Sequence, residues 1–364
     1  MKKHLILLSL AAVLLAGCTG TQDSKSTFWL GADIGWATGM EKRGEMLYGF
    51  EGDTPVECSA LMKELGLNAL RFRVWVDPWG GECDKYDLLE KCLRAKKEDM
   101  AIMVNFHYSD SWADPGHQPV PKAWRGHSYE QMLEDLRAHT IDVLQLLKDN
   151  DIEPEWVQIG NETTNGLLWE YKPGRPSMGS AKREFIDTVG HIDFAPEQYA
   201  GFIRAGHEAA KSVFPNTTTI VHLDNGWNFD IYEKNLGVLE QYDVPYDMVG
   251  MSLYPYWARS SGRNDADGVI TDCIANVQKV YDRFGKDCMI VETGFEVDES
   301  NPEVLEEGRR QLARIIREAR DMTNGHCHGV FYWEPECRPN RYRLGAFGSD
   351  GRPTVIMKGF TDPS

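Results

Sequence analysis

The chain has 364 residues, of which 39 are basic and 56 acidic, giving a net charge of −17 with histidine neutral. Such a surface repels nucleic acid and other polyanions and leaves neutral polymers and small molecules as partners. The length fits one large α/β barrel or two ordinary domains; the 11 tryptophans either fill such a core or offer flat faces to pyranose rings.

Lys2 and Lys3 precede a short apolar run, residues 5–16, and then Leu15-Ala16-Gly17-Cys18. The run is too short for a permanent membrane span. It resembles a bacterial lipoprotein signal, which implies cleavage after residue 17 and acylation of Cys18. Residues 18–27 then read as a polar tether, and 28–364 as a single domain.

From there strand and helix patterns alternate to the end. Apolar or β-branched runs occur at Phe28–Ile34, Ala69–Trp75, Ala101–His107, Trp156–Glu162, Thr219–Asp224, Met248–Tyr254, Met289–Thr293 and Gly329–Glu334. Between them apolar residues recur at helical spacing, as in Cys58, Leu61, Met62 and Leu65. A capping box is expected at Thr54-Pro55-Val56-Glu57. Near-continuous apolar strands separated by helices imply parallel strands covered by helices. Eight such units predict an α/β fold closed as a (β/α)8 barrel; a doubly wound open sheet would usually need fewer strands.

Connections from helix to strand are short. Those from strand to helix are long, at 35–53, 108–128, 163–195 and 335–352, and they gather on the face where barrels carry chemistry. Two runs end in a carboxylate on that face, Trp156-Val157-Gln158-Ile159-Gly160-Asn161-Glu162 and Cys288-Met289-Ile290-Val291-Glu292. Two carboxyls in one cleft are the minimal equipment for glycosidic cleavage; a lone strand-end Glu can equally be an ion-pair partner. His107, Asp110, Asp114 and His117 run through a Pro-Gly turn and lack the spacing of a helical metal motif. No metal or other cofactor is expected, and no calcium loop or phosphate loop is present in the sequence. The seven cysteines after Cys18 form no CxxC pair and read mainly as buried small hydrophobes.

Several segments together resemble glycoside hydrolase family 53, the endo-β-1,4-galactanases. They are Gly31-Ala32-Asp33-Ile34, the run 71–78 (Arg-Phe-Arg-Val-Trp-Val-Asp-Pro), the run 106–116 (Phe-His-Tyr-Ser-Asp-Ser-Trp-Ala-Asp-Pro-Gly), Gly160-Asn161-Glu162, the run 252–257 (Ser-Leu-Tyr-Pro-Tyr-Trp), Val291-Glu292-Thr293 and Tyr332-Trp333-Glu334-Pro335. The match runs in order over residues 28–360. The resemblance implies Glu162 as acid/base and Glu292 as nucleophile of a retaining enzyme. It implies Asn161 on the 2-hydroxyl of the sugar being cleaved, Arg71 beside the nucleophile with Arg73 as a second, His107 on strand three and Tyr254 near the nucleophile. It implies Trp333 under the sugar being cleaved, with a cis peptide at Trp333-Glu334. Asp33, Trp112 and Trp257 complete the expected substrate-binding set. Leu253 stands where the family usually has an aromatic.

The expected activity is endo-hydrolysis of β-1,4-galactan, with galactan as partner. The expected form is a monomer held by its lipid as an exported outer-membrane lipoprotein at the cell surface. The competing readings are a mannanase or xylanase of the same clan, and a non-catalytic glycan-capture lipoprotein.

Overall fold

A computed structural model describes residues 27–171, 185–187 and 189–361. The leader, Cys18, most of the tether and parts of the 163–195 loop lie outside the described residues. All eight expected strands form: β1 (Trp29–Asp33), β2 (Ala69–Val74), β3 (Ala101–Phe106), β4 (Trp156–Ile159), β5 (Thr218–Leu223), β6 (Met248–Leu253), β7 (Asp287–Thr293) and β8 (Cys327–Trp333). They pair in parallel in sequence order, and β8 returns to β1 to close the barrel. A short antiparallel hairpin, Glu170–Tyr171 with Phe185–Asp187, lies in the loop after β4 and has no counterpart in the sequence reading.

Seven long connections contain the helices α1 (Cys58–Glu64), α2 (Lys85–Lys97), α3 (Tyr129–Lys148), α4 (Pro196–Val213), α5 (Phe229–Gln241), α6 (Ala266–Phe284) and α7 (Pro302–Asp321). The eighth position is filled by a 3-10 turn, Val355–Phe360. It approaches α7 closely because Gly308 there has no side chain: a Cβ would lie 3.1 Å from Ile356. The expected capping box before α1 is not used. The helix begins four residues later, where the Glu57 carboxylate accepts the Ala60 N–H at 3.1 Å.

Apolar residues fill two compartments. The larger lies between the barrel and its helices. The smaller plugs the barrel below its mouth and comprises Ala69, Met103, Trp156, Ile220, Met248, Met289, Val291 and Phe331. Trp156 meets Trp29 edge-on at 5.0 Å, so these two tryptophans are packing residues at the closed end. Side chains alternate along a strand, so the inward position two residues above each plug residue faces the mouth. In β2, β3, β4 and β5 those positions are Arg71, Asn105, Gln158 and His222, all buried. Sequence alternation thus converts an oily plug into a polar floor within one pleat.

The plug has no slack at Gly31, where an added Cβ would sit 2.3 Å from the Phe331 ring. Gly31→Ala should destabilise the fold by about 1–3 kcal/mol through overpacking. Urea unfolding would show a lower midpoint, and an unchanged midpoint would mean the ring can move aside.

Candidate active site

The polar floor is organised by Arg71, whose side chain is inaccessible to water. Its Nη1 pairs with Asp33 Oδ2 at 3.0 Å and with Glu292 Oε1 at 2.8 Å. Nη2 donates to Asn161 Oδ1 at 2.9 Å, and Nε donates to Gln158 Oε1 at 3.1 Å. One guanidinium therefore ties β1, β2, β4 and β7 to the Asn161 loop. Arg73, the next inward residue of β2, pairs with Glu334 and lies 3.5 Å from Asp33 Oδ1. Burial and the neighbouring Glu334 push Asp33 up to about 7 against the pull of both arginines.

Glu292 reaches the mouth through an irregularity. Met251 pairs with Ile290 but Ser252 pairs with Glu292, so Val291 is an extra residue in β7. A bulge lets consecutive residues face one side: Val291 joins the plug and Glu292 joins the floor. Glu162 arrives differently. β4 ends at Ile159, three residues short of expectation, because Gly160 (φ 79°) turns the chain out of the sheet. Glu162 itself sits at φ 46°. Tyr108, Asn225 and Glu334 also have left-handed backbones just beyond β3, β5 and β8. Side chains at this rim are aimed by backbone that L-residues adopt only at a cost.

The two glutamates have unlike surroundings. Glu292 receives the Arg71 ion pair and a hydrogen bond from Tyr254 Oη at 3.1 Å. Among the described residues Glu162 has no cationic partner; Ser252 Oγ donates to its Oε1 at 2.6 Å. Burial lifts both carboxyls, but at Glu292 the guanidinium and the phenol oppose the rise. At Glu162 the charge of Glu292 and then that of Asp224 add to burial, and the Ser252 hydroxyl opposes it. Glu162 is therefore the member of the pair pushed further toward its protonated form.

The cleft above the floor has a volume of about 470 Å³. Of the expected residues, Glu162, Glu292, Asn161, Tyr254, Trp112, Trp257 and Trp333 line it. Asp33, Arg71 and His107 lie beneath it, buried, and meet the floor instead of the open space. His107 accepts the Ala113 N–H at Nδ1 (3.1 Å) and so pins the loop that carries Trp112. Trp112 meets Trp36 at 5.5 Å and Trp333 at 5.5 Å, both edge-on, and lies over the Arg73 guanidinium at 4.2 Å. Trp257 is 46% exposed and presents an open face. Trp124 and Trp169, which the sequence places on the long loops, are buried and pack against His139 and His191.

The sequence reading missed His222, Ser252 and Tyr342. His222 is an inward residue of a strand it had recognised, and Ser252 opens a motif it had quoted. Tyr342 contacts Trp333 at 4.6 Å from a loop without a periodic signal. Leu253 is fully buried in the core between barrel and helices. The Trp333–Glu334 peptide is trans, contrary to expectation, and Glu334 at φ 48° makes the turn. Asp110 accepts N–H groups from Asp77 (3.1 Å) and Lys122 (2.8 Å), and Asp114 and His117 bridge to each other through backbone, so these residues build the loop. Glu162, His222 and Glu292 have oxygen and nitrogen atoms within 4.8 Å of one another. Both ring nitrogens of His222 are engaged in hydrogen bonds, Nδ1 with the Glu162 backbone N–H and Nε2 with Ser252 Oγ.

A closed parallel barrel with two glutamates, one buried and one half-buried, facing one cleft at the C-terminal ends of its strands has the architecture of a glycoside hydrolase. The family model for glycosyl hydrolase family 53 matches residues 29–354. A protein of Niallia circulans, described as an uncharacterized protein in the bgaB 5' region, is 31% identical over 335 residues, covering 87% of this chain and 86% of its own. An arabinogalactan endo-β-1,4-galactanase of Humicola insolens is 29% identical over 325 residues, covering 83% and 88%. The family 53 catalytic domain of Ignisphaera aggregans superposes with a TM-score of 0.77 at 26% identity, over 92% of this chain and 95% of that one. The chain belongs to glycosyl hydrolase family 53.

Arg71→Met should remove the one cation that favours ionised Glu292. The Glu292 carboxyl then loses its proton only at higher pH, so the acid limb of the activity profile should move up by about 1–3 pH units. The position of a limb does not depend on how much protein folds, and a limb that stays in place would separate Arg71 from Glu292 ionisation.

Proposed function

We propose that the protein cleaves internal β-1,4-galactosidic bonds of galactan with retention, Glu292 acting as nucleophile and Glu162 as acid/base. The observation that carries the roles is the asymmetry of charge among the described residues: a guanidinium at Glu292, none at Glu162. Carboxyl oxygens of the two lie within 4.8 Å, which suits direct attack by one of them more than the wider carboxyl spacing of about 6.5–9.5 Å in inverting enzymes. In the first step Glu292 attacks the anomeric carbon while protonated Glu162 gives its proton to the leaving oxygen. The consumed charge on Glu292 lowers the proton affinity of Glu162, which then takes a proton from water. That water displaces Glu292 and restores both groups.

The substrate class rests on the family and on the galactanase relative. The net charge of −17 suits a neutral polymer. The exposed Trp257 at the cleft wall suits an endo-acting enzyme, which binds sugars beyond the scissile bond. The leader and Cys18 support an acylated, outer-membrane form that meets its polymer at the cell surface.

Galactan should be hydrolysed in preference to mannan and xylan, and the first-formed product should be the β anomer by NMR. An initial α anomer would reject the double displacement, and preference for mannan or xylan would reject the substrate. With azide and an activated aryl galactoside, Glu292→Ala should give the α-azide and Glu162→Ala the β-azide; exchanged products would reverse the roles. Trp257→Ala should reduce turnover of long galactan more than that of a short aryl galactobioside, because only the long substrate reaches that ring. Cys18→Ala should lose fatty-acid label and leave the membrane fraction; a labelled mutant would exclude Cys18 as the anchor.

A further inference from the structure

His222 occupies an inward position of β5 and is fully buried. Its Nδ1 accepts the Glu162 backbone N–H at 3.3 Å; Gln158 Nε2 lies 3.1 Å away but gives its two hydrogens to Asn105 Oδ1 at 2.6 Å and the Gly160 carbonyl at 2.8 Å. Asn161 Oδ1 is 3.2 Å from the same nitrogen but already accepts from Arg71 and Asn105. A nitrogen that accepts a peptide N–H must present its lone pair, so the ring proton resides on Nε2. Burial, with the nearby Arg71 charge, holds the ring neutral, which keeps that tautomer. Nε2–H then donates to Ser252 Oγ at 2.8 Å. Its acceptor role filled, the Ser252 hydroxyl directs its own proton to Glu162 Oε1 at 2.6 Å.

We infer that Ser252, steered by His222, is a positioning residue that keeps Glu162 Oε1 as an acceptor and leaves the transferable proton on Oε2. The direction of each bond follows from a peptide N–H, which cannot reverse. The chain starts and ends on the same residue: the Glu162 backbone N–H sets the imidazole, the imidazole sets the hydroxyl, and the hydroxyl sets the Glu162 carboxyl. Without the hydroxyl the acid proton divides between two oxygens, only one of which faces the bond to be broken. The hydroxyl also favours the ionised carboxyl needed in the second step.

This inference rests on the acid/base reading of Glu162. Among the described residues, the other charged or titratable groups facing Glu162 are Glu292 from β7, Asp224 beyond β5, Asp114 from the loop after β3, and the phenols of Tyr254 and Tyr342. None of these side chains is altered by replacing Ser252. The test is the alkaline limb of kcat/KM, where protonated Glu162 is lost. Ser252→Ala removes a bond to the charged form, so that limb should move up by about one pH unit, with kcat on galactan about tenfold lower or less. Ser252→Thr, which keeps the hydroxyl, should return the limb to its original place. His222→Gln should move it in the same direction as Ser252→Ala. Lower rates with an unmoved limb in Ser252→Ala and His222→Gln would overturn the inference. Glu162→Ala, assayed on an activated aryl galactoside, separates the two claims. If the limb persists there, the acid/base reading fails. If it vanishes there yet stays fixed in the Ser252 variant, only the positioning role fails.

Discussion

A guanidinium taken out of water must recover its hydrogen bonds from protein groups, because an unpaired charge in a dry interior costs far more than most folds can offset. Arg71 meets that demand with partners on four elements: Asp33 at the end of β1, Gln158 within β4, Asn161 beyond it and Glu292 on β7. No pair of neighbouring strands could supply this set. The charge therefore has a low-energy place only in the closed barrel, and the residues that satisfy it are the ones that shape the mouth. The polar floor and the closure of the sheet are in this sense one constraint.

The same cation makes the two glutamates different. Both are withdrawn from water, which alone would raise both and distinguish neither. Arg71 and Tyr254 act on Glu292, while Glu162 is left with hydroxyl, imidazole and amide neighbours and with the opposing charge of Glu292 itself. A group that must give up and recover a proton is served by neutral partners; a group that must remain an anion is served by a fixed cation. Asn161 accepts from Arg71 and precedes Glu162 in the chain, so the two environments are held in mechanical register.

A second buried cation supports the wall of the cleft. Arg73 lies among the rings of Trp36, Trp75 and Trp112 and is neutralised from below by Glu334 and Asp33. The aromatic face of the cleft is thus underlain by charge, and the edge-on contacts linking Trp36, Trp112 and Trp333 make it a rigid block. Trp257 lies beside Tyr256 on the short turn after β6 and is joined to this block through a hydrogen bond with Tyr342.

The sequence by itself determined the barrel. Apolar runs such as Phe28–Ile34 and Met248–Tyr254, separated by helical spacing, leave few other ways to bury both faces of eight strands. It also located both glutamates: one carboxylate closing an apolar run can equally be an ion-pair partner, but two on the same face, each within a flanking motif, point to a common cleft. It did not determine how those carboxylates turn inward. Simple alternation places Glu292 on the opposite side from Val291, and only the extra residue in the pairing of β7 with β6 brings both inside. The left-handed turn at Glu162 and the early end of β4 likewise depend on packing around Gly160, where Thr163 and Leu167 close in. Which tryptophans line the cleft was equally hidden: Trp112 and Trp169 both lie on long loops after strands, yet one lines the cleft and the other is buried against His191. His222 and Ser252 read as ordinary strand residues, 30 positions apart. Periodicity reports which side of a strand a residue faces, but hydrogen-bond partners on different strands meet only when the barrel closes.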